Sequence, residues 1–303
     1  MRSKLLPLVG LLALTPGVLP AQTADPEAPP PVLSMNREEI KPGKMGVHGK
    51  TSAGYVAVLA KANPAMHWIG FTPVSGDENV TMYLSGHPSF AQAIADGEKA
   101  DAAITQNVAW KAEIDRLGAA SADVHASQRT TYYVYRAANS FHPPKMSDMA
   151  KARYLAVTTY RIKPGRIPDW NDYVKSLNAA REKAGVSWLA NYAYQSSMGA
   201  PAGTFLYFRP IRSLSELDDD NAKGDERQKT VDAALGGDQV VKMRRDLIAE
   251  ILVEAPTTNI YAVSREESLP SAQFAAADPD FWSPKPAATT GKALATKKEA
   301  PKP

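Results

Sequence analysis

The chain contains no cysteine. That excludes a disulfide framework, thiolate catalysis, cysteinyl zinc or iron–sulfur sites and a cysteine-linked lipid anchor. Gly-x-Gly-x-x-Gly, a Walker loop and Gly-x-Ser-x-Gly are all missing, so nucleotide binding and α/β-hydrolase chemistry have no motif to rest on. Histidine is scarce, with five in 303 residues and no pair at His-x-His or His-x-x-Glu-His spacing. Beyond the first 21 positions, no apolar run approaches the ~18 residues that a membrane span needs. What is present suits a folded protein: 44% hydrophobic and 22% charged residues, with 24 prolines and 19 glycines. The length fits one large or two medium domains.

The first segment is set apart from the rest. Arg2 and Lys4 precede the mostly apolar stretch Leu5–Leu19, and Pro20-Ala21-Gln22 follows. This is the layout of a secretory signal peptide over residues 1–21, cleaved after Ala21, which predicts a periplasmic or secreted protein. A cysteine-free composition suits such an oxidising compartment. Residues 22–32 read as a Pro-rich linker, and residues 283–303, rich in Pro, Ala, Thr and Lys, as a disordered basic tail. The formal charge of +3 is therefore misleading. Two positive charges belong to the leader and a net four to the tail, where five lysines face Glu299, so the body carries −3. A slightly acidic body has no nucleic-acid footprint.

The body contains an internal repeat. Ile40-Lys41-Pro42-Gly43-Lys44 recurs as Ile162-Lys163-Pro164-Gly165-Arg166. A stretch with apolar residues at helical spacing follows each: Tyr55, Val58, Leu59 and Ala62, then Trp170, Tyr173, Val174, Leu177 and Ala184. Next come His67-Trp68-Ile69-Gly70-Phe71 and Ser187-Trp188-Leu189-Ala190-Asn191-Tyr192, each with a hairpin partner around Tyr83 or Tyr207. Ser89-x-x-Gln92 and Ser213-x-x-Glu216 read as capping boxes. One helical segment is expected around Ile104–Leu117, and another with Val240, Leu247, Ile248 and Ile251 on a stripe. Each copy closes on a strand, Thr130–Tyr135 and Thr257–Val263. The order strand, helix, strand, strand, helix, strand predicts an α+β fold of two tandem ferredoxin-like βαββαβ modules, 33–145 and 150–282, packed sheet to sheet.

Strand alternation separates two faces. Met82, Leu84, Leu206 and Phe208 form an aliphatic set, expected to pack under the helices. Trp68, Tyr83, Trp188, Tyr192, Tyr207 and Arg209 form an aromatic set with hydroxyls and a guanidinium. Nothing in its own module would cover that second face, so it is expected to lie between the two sheets, either as plain core or as a cleft for a flat apolar ligand.

These residues carry a resemblance. A strand ending in an Ile-Lys-Pro-Gly-Lys/Arg turn before an amphipathic helix, within a βαββαβ unit, resembles the dimeric α/β-barrel superfamily. NIPSNAP-type proteins and antibiotic-biosynthesis-type monooxygenases are its nearest members, over Leu33–Glu267. The resemblance implies a fused pair of units with a pocket between the sheets. In cofactor-free monooxygenases of this fold, a Trp and polar neighbours hold a phenolic substrate that itself reduces oxygen.

The rest of the chemistry is thin. His48, His67, His87, His125 and His142 read as surface or capping residues, and none stands out as a metal or axial haem ligand. Asp218-Asp219-Asp220 reads as a solvated end of a short helix, and Asn79-Val80-Thr81 as a chance match to a glycosylation acceptor. The expected function is an exported small-ligand-binding or assembly protein without a catalytic set. The alternative is a cofactor-independent monooxygenase acting on an aromatic or quinol-like substrate. No metal and no cofactor is expected. The partners expected are a small apolar or aromatic ligand and further copies of the chain, with no nucleic acid and no integral membrane span.

Overall fold

The computed structural model describes residues 25–62 and 66–283. The leader and tail readings lie outside the described residues, apart from the end of the Pro-rich linker and Ser283. The elements run β1 (Val32–Ile40), α1 (Met45–Ala62), β2 (Trp68–Pro73), β3 (Val80–His87), α2 (Phe90–Gln106), α3 (Val108–Ser121), β4 (His125–Tyr135) and α4 (Met146–Met149). They continue with β5 (Tyr154–Arg161), α5 (Ile167–Lys183), β6 (Tyr192–Met198), β7 (Thr204–Ile211), α6 (Ser215–Leu235), α7 (Asp238–Ile251), β8 (Thr257–Leu269), α8 (Ala272–Ala276) and α9 (Pro279–Trp282). Among the described residues, no helix is long and apolar enough to cross a membrane.

Local chemistry accounts for the helix entrances. In both Lys-Pro-Gly turns the glycine takes a positive φ, 78° at Gly43 and 80° at Gly165. The amide of Lys44 donates to the Lys41 carbonyl, and that of Arg166 to the Lys163 carbonyl. Proline then glycine is the pairing that a type II turn requires. Ser89 caps α2 by accepting from the Gln92 amide at 3.1 Å. At the second capping box, Glu216 instead reaches the amide of Arg212 at 2.8 Å. The helix expected around Ile104–Leu117 is two helices, because Asn107 ends α2 and caps α3 through the Trp110 amide. Asp218–Asp220 lies within the 21-residue α6 rather than ending a short helix.

The eight strands form one closed antiparallel barrel in the order β1-β3-β2-β8-β5-β7-β6-β4. Each half contributes four neighbouring strands in the same relative order, its fourth, first, third and second. Two seams join the halves, β2 with β8 and β4 with β6. The halves thus meet edge to edge instead of sheet against sheet, and the barrel leaves no open edge.

The two strand faces are the reverse of the expectation. Met82, Leu206 and Phe208 fill the barrel interior with Leu33, Phe71, Leu155, Tyr192 and Tyr194, and Leu84 packs against them. The face bearing Tyr83, Tyr207 and Arg209 lies under the helices. A closed barrel gives the aliphatic side chains a dry interior and leaves the helices to cover the aromatic face.

Candidate functional site

Of the six residues read as one aromatic face, Tyr192 alone points into the barrel, where its hydroxyl donates to the Pro144 carbonyl at 3.1 Å. Trp188 lies in the loop before β6, with the Arg227 guanidinium 5.2 Å from its ring centre. Tyr207 packs against Tyr160 and Trp170. Arg209 forms an ion pair with Asp220. Trp68 and Tyr83 come together on the helix side of the first half.

There, a pocket of about 480 Å³ opens between the sheet and helices α1 and α3, lined by Ser34, Glu38, His48, Ser52, Tyr55, Trp68, Tyr83, His125, Gln128 and Glu267 among others. His48 enters from the first turn of α1, directly after the Lys-Pro-Gly turn, and is only 1% exposed. Its Nε2 lies 3.0 Å from the Tyr83 hydroxyl, which donates to Glu267 Oε2 at 2.7 Å. Since that proton is committed to the carboxylate, the Tyr83 oxygen is left to accept from Nε2–H. This arrangement assigns the ring proton to Nε2 and leaves a lone pair on Nδ1. Burial, and then the Glu267 charge, hold the Tyr83 phenol well above its ordinary range, so it stays protonated.

Glu267 comes from the far end of the sequence. Along the β2–β8 seam, Trp68 pairs with Leu269 while Gly70 pairs with Ser264, so β8 bulges between them. A Cβ on Gly70 would sit 2.9 Å from the Glu267 carbonyl, so glycine permits the close approach. The Trp68 indole donates to that same carbonyl at 2.8 Å. The final strand of the second half therefore completes a pocket in the first.

On the other side of His48, Nδ1 is buried and has no hydrogen-bond partner. It lies 3.7 Å from Glu38 Oε2, and the same oxygen lies 3.2 Å from His125 Nε2. Reading His48 as a surface or capping residue is thus corrected, because it sits at the centre of a buried polar cluster. The donor set does not fit an axial bond to haem. Nε2 already faces the hydroxyls of Tyr83, Thr81 and Ser52 within 3.4 Å, and the Glu38 carboxylate, 3.7 Å from Nδ1, stands where a haem plane would have to lie.

A second cavity, of about 290 Å³, lies at one mouth of the barrel. Its wall is mostly apolar, with Leu84, Leu155, Phe208 and Phe274, and the Pro-rich segment 26–30 crosses it. The Pro30 carbonyl accepts from the Tyr194 hydroxyl at 2.9 Å, which ties that segment down.

The repeat itself held the signal that single-residue reading missed. Aligning the two Lys-Pro-Gly turns sets His48 opposite Trp170 and Glu38 opposite Tyr160. Strand register agrees, since Glu38 pairs with Thr81 and Tyr160 with Phe205. Polar residues facing aromatic ones across a repeat mark where the copies have diverged.

No family model matches the chain, and no curated protein is similar to it. Among solved structures, the chain is similar to a candidate monooxygenase of Fusobacterium nucleatum at 9% identity, over 78% of this chain and 93% of that one, with a TM-score of 0.45. An anthrone oxidase-like protein aligns at 12% identity over 79% and 93% of the two chains, with a TM-score of 0.44. A mutant chlorite dismutase from Candidatus Nitrospira defluvii aligns at 11% identity over 83% and 100%, with a TM-score of 0.43.

Proposed function

We propose that this chain is an exported small-ligand-binding protein, built as two tandem ferredoxin-like modules over 33–145 and 150–282, and that its ligand occupies the helix-side pocket of the first half. The observation that carries this reading is the contrast between equivalent positions. In the second half, Trp170 is 2% exposed and packs with Phe205, Ile251 and Leu252, and the cavity of about 320 Å³ beside it is walled largely by Tyr160, Trp170, Val174, Leu177 and Tyr207. In the first, a buried imidazole and a carboxylate take the places of Trp170 and Tyr160, and Glu267 adds a second carboxylate. Burying polar groups costs stability unless they are satisfied, so a pocket lined by an imidazole and two carboxylates, where its counterpart is lined by aromatic rings, has a use for those groups.

The lining indicates the ligand's chemistry. Trp68, Tyr55 and Leu59 offer an apolar wall to a flat body, while Glu38 and Glu267 call for a hydrogen-bond donor. A phenol or a similar hydroxylated aromatic has both. Titrating the full chain with 2-naphthol while following tryptophan emission tests this. Saturable quenching is expected, weakened more than about tenfold by Glu267→Gln, which removes a charged acceptor, and untouched by Trp188→Phe. Binding that ignores Glu267→Gln but is lost on Leu84→Gln would place the ligand at the barrel mouth and overturn the reading. Oxygen uptake in the same cuvette separates plain binding from oxygenation of the aromatic.

A further inference from the structure

Glu38 and Glu267 put two carboxylates into one pocket, with side chains only 12% and 9% exposed. Among the described residues, neither forms an ion pair with a lysine or arginine; the basic side chains beside them are His48 and His125. Buried anions in this number require a nearby positive charge. One ligand atom each from Glu38, His48 and His125 lies within 4.8 Å of the other two.

From this we infer that Glu38, His48 and His125 form a binding site for a divalent transition-metal ion of the zinc type at the back of the first-half pocket. The strongest support is His48 Nδ1, which belongs to a side chain 2% exposed, has no hydrogen-bond partner, and lies 3.7 Å from Glu38 Oε2. Metal-ligating histidines usually donate their other ring N–H to a fixed acceptor, which sets the tautomer. Here the Tyr83 oxygen is that acceptor, and Glu267 holds Tyr83 in turn. A tetrahedral zinc with bonds of about 2.0 Å places its ligand atoms roughly 3.3 Å apart. The 3.2 and 3.7 Å separations around Glu38 Oε2 are near that value, and the two imidazole ligand atoms lie within 4.8 Å of each other, so the ion would draw the rings together. Two imidazoles and one carboxylate favour such an ion over calcium or magnesium, which prefer all-oxygen shells. Three protein ligands leave it an open coordination position.

The inference shares its pocket with the proposed ligand site but does not need the ligand. The test therefore uses metal alone: untagged full-length chain, stripped with chelator and dialysed, is titrated calorimetrically with zinc chloride. One zinc per chain is expected, with His125→Gln and Glu38→Gln each weakening it more than about tenfold and Tyr83→Phe weakening it about tenfold or more through tautomer control. Cobalt(II) should give visible d–d bands that His125→Gln abolishes. His125 is 22% exposed, so its variant should keep the fold even if a His48 substitution does not; circular dichroism of the metal-free variants checks this. Absence of stoichiometric zinc, or zinc binding unchanged in both His125→Gln and Glu38→Gln, would overturn the site. Zinc binding without 2-naphthol binding would uphold the metal site and sink the ligand reading; the reverse result would do the opposite.

Discussion

Between β5, β7 and α5 of the second half, Tyr160, Trp170 and Phe205 pack into an aromatic cluster with Leu252, beside a cavity of about 320 Å³. The matching positions between β1, β3 and α1 hold Glu38, His48, Thr81 and His125 around a cavity. The two regions share turn geometry, strand register and helix placement, so the backbone does not explain the difference. Side-chain chemistry does. An aromatic cluster stabilises its half through buried apolar area and close packing, whereas the polar cluster satisfies its groups through one another with the exception of His48 Nδ1. Glu267 reaches the first half's cluster across the seam.

The sharpest way to break this comparison is to separate the halves. Each would lose both seams and expose two unpaired strand edges, and the first half would also lose Glu267. Neither 33–145 nor 150–282 is expected to be a folded monomer, because open edges and an uncovered barrel interior promote association. Size-exclusion chromatography with circular dichroism reads this out. Two stable monomeric halves would show that the seams are dispensable.

Point substitutions at the equivalent positions come next in size. Trp170→Ala should cost about 3–5 kcal/mol, since it empties a close-packed site. His48→Ala borders a cavity already, so its loss is mainly one hydrogen-bonded group, about 1–3 kcal/mol. Chemical denaturation of both variants measures the difference. Equal costs would mean that the first-half cluster is packed as tightly as its counterpart.

The smallest expected effect is acid sensitivity, and it belongs to the first half. From Met146 onward the chain contains no histidine. Burial lowers the His67 and His87 imidazoles from their ordinary value of 6.5, partly offset by Asp96. In the unfolded chain that value is restored, so the unfolded state binds protons first as pH falls. Their contribution is therefore complete above about pH 6.5 and is lost on acidification below it. Melting temperatures at pH 7 and pH 5 should converge in a His67→Gln/His87→Gln double variant. A slope unchanged by both substitutions would assign the acid sensitivity to other groups.

Much of the frame was readable before any fold was known. The Lys-Pro-Gly turns specify their own geometry, because proline fixes one φ and only glycine adopts the next at no steric cost. The repeat set the order of elements, and alternation correctly sorted Met82 and Leu84 from Tyr83, and Leu206 and Phe208 from Tyr207. Which set would face inward was beyond its reach. A period of two states that two faces differ, without saying which is covered by helices and which by the rest of the barrel. With both faces apolar enough to bury, closure of the sheet decided it.

The candidate site shows the same division. From its sequence alone, this protein has strands, turns and an internal pair of copies, since those depend on residues near one another along the chain. Tertiary structure alone brought Glu38, His48, His125 and Glu267 into one pocket. Those four residues belong to β1, α1, β4 and β8, and no local spacing links them. Their meeting depends on the barrel closing and on β8 bulging past Gly70, and long-range contacts of that kind are settled only when the whole chain has packed.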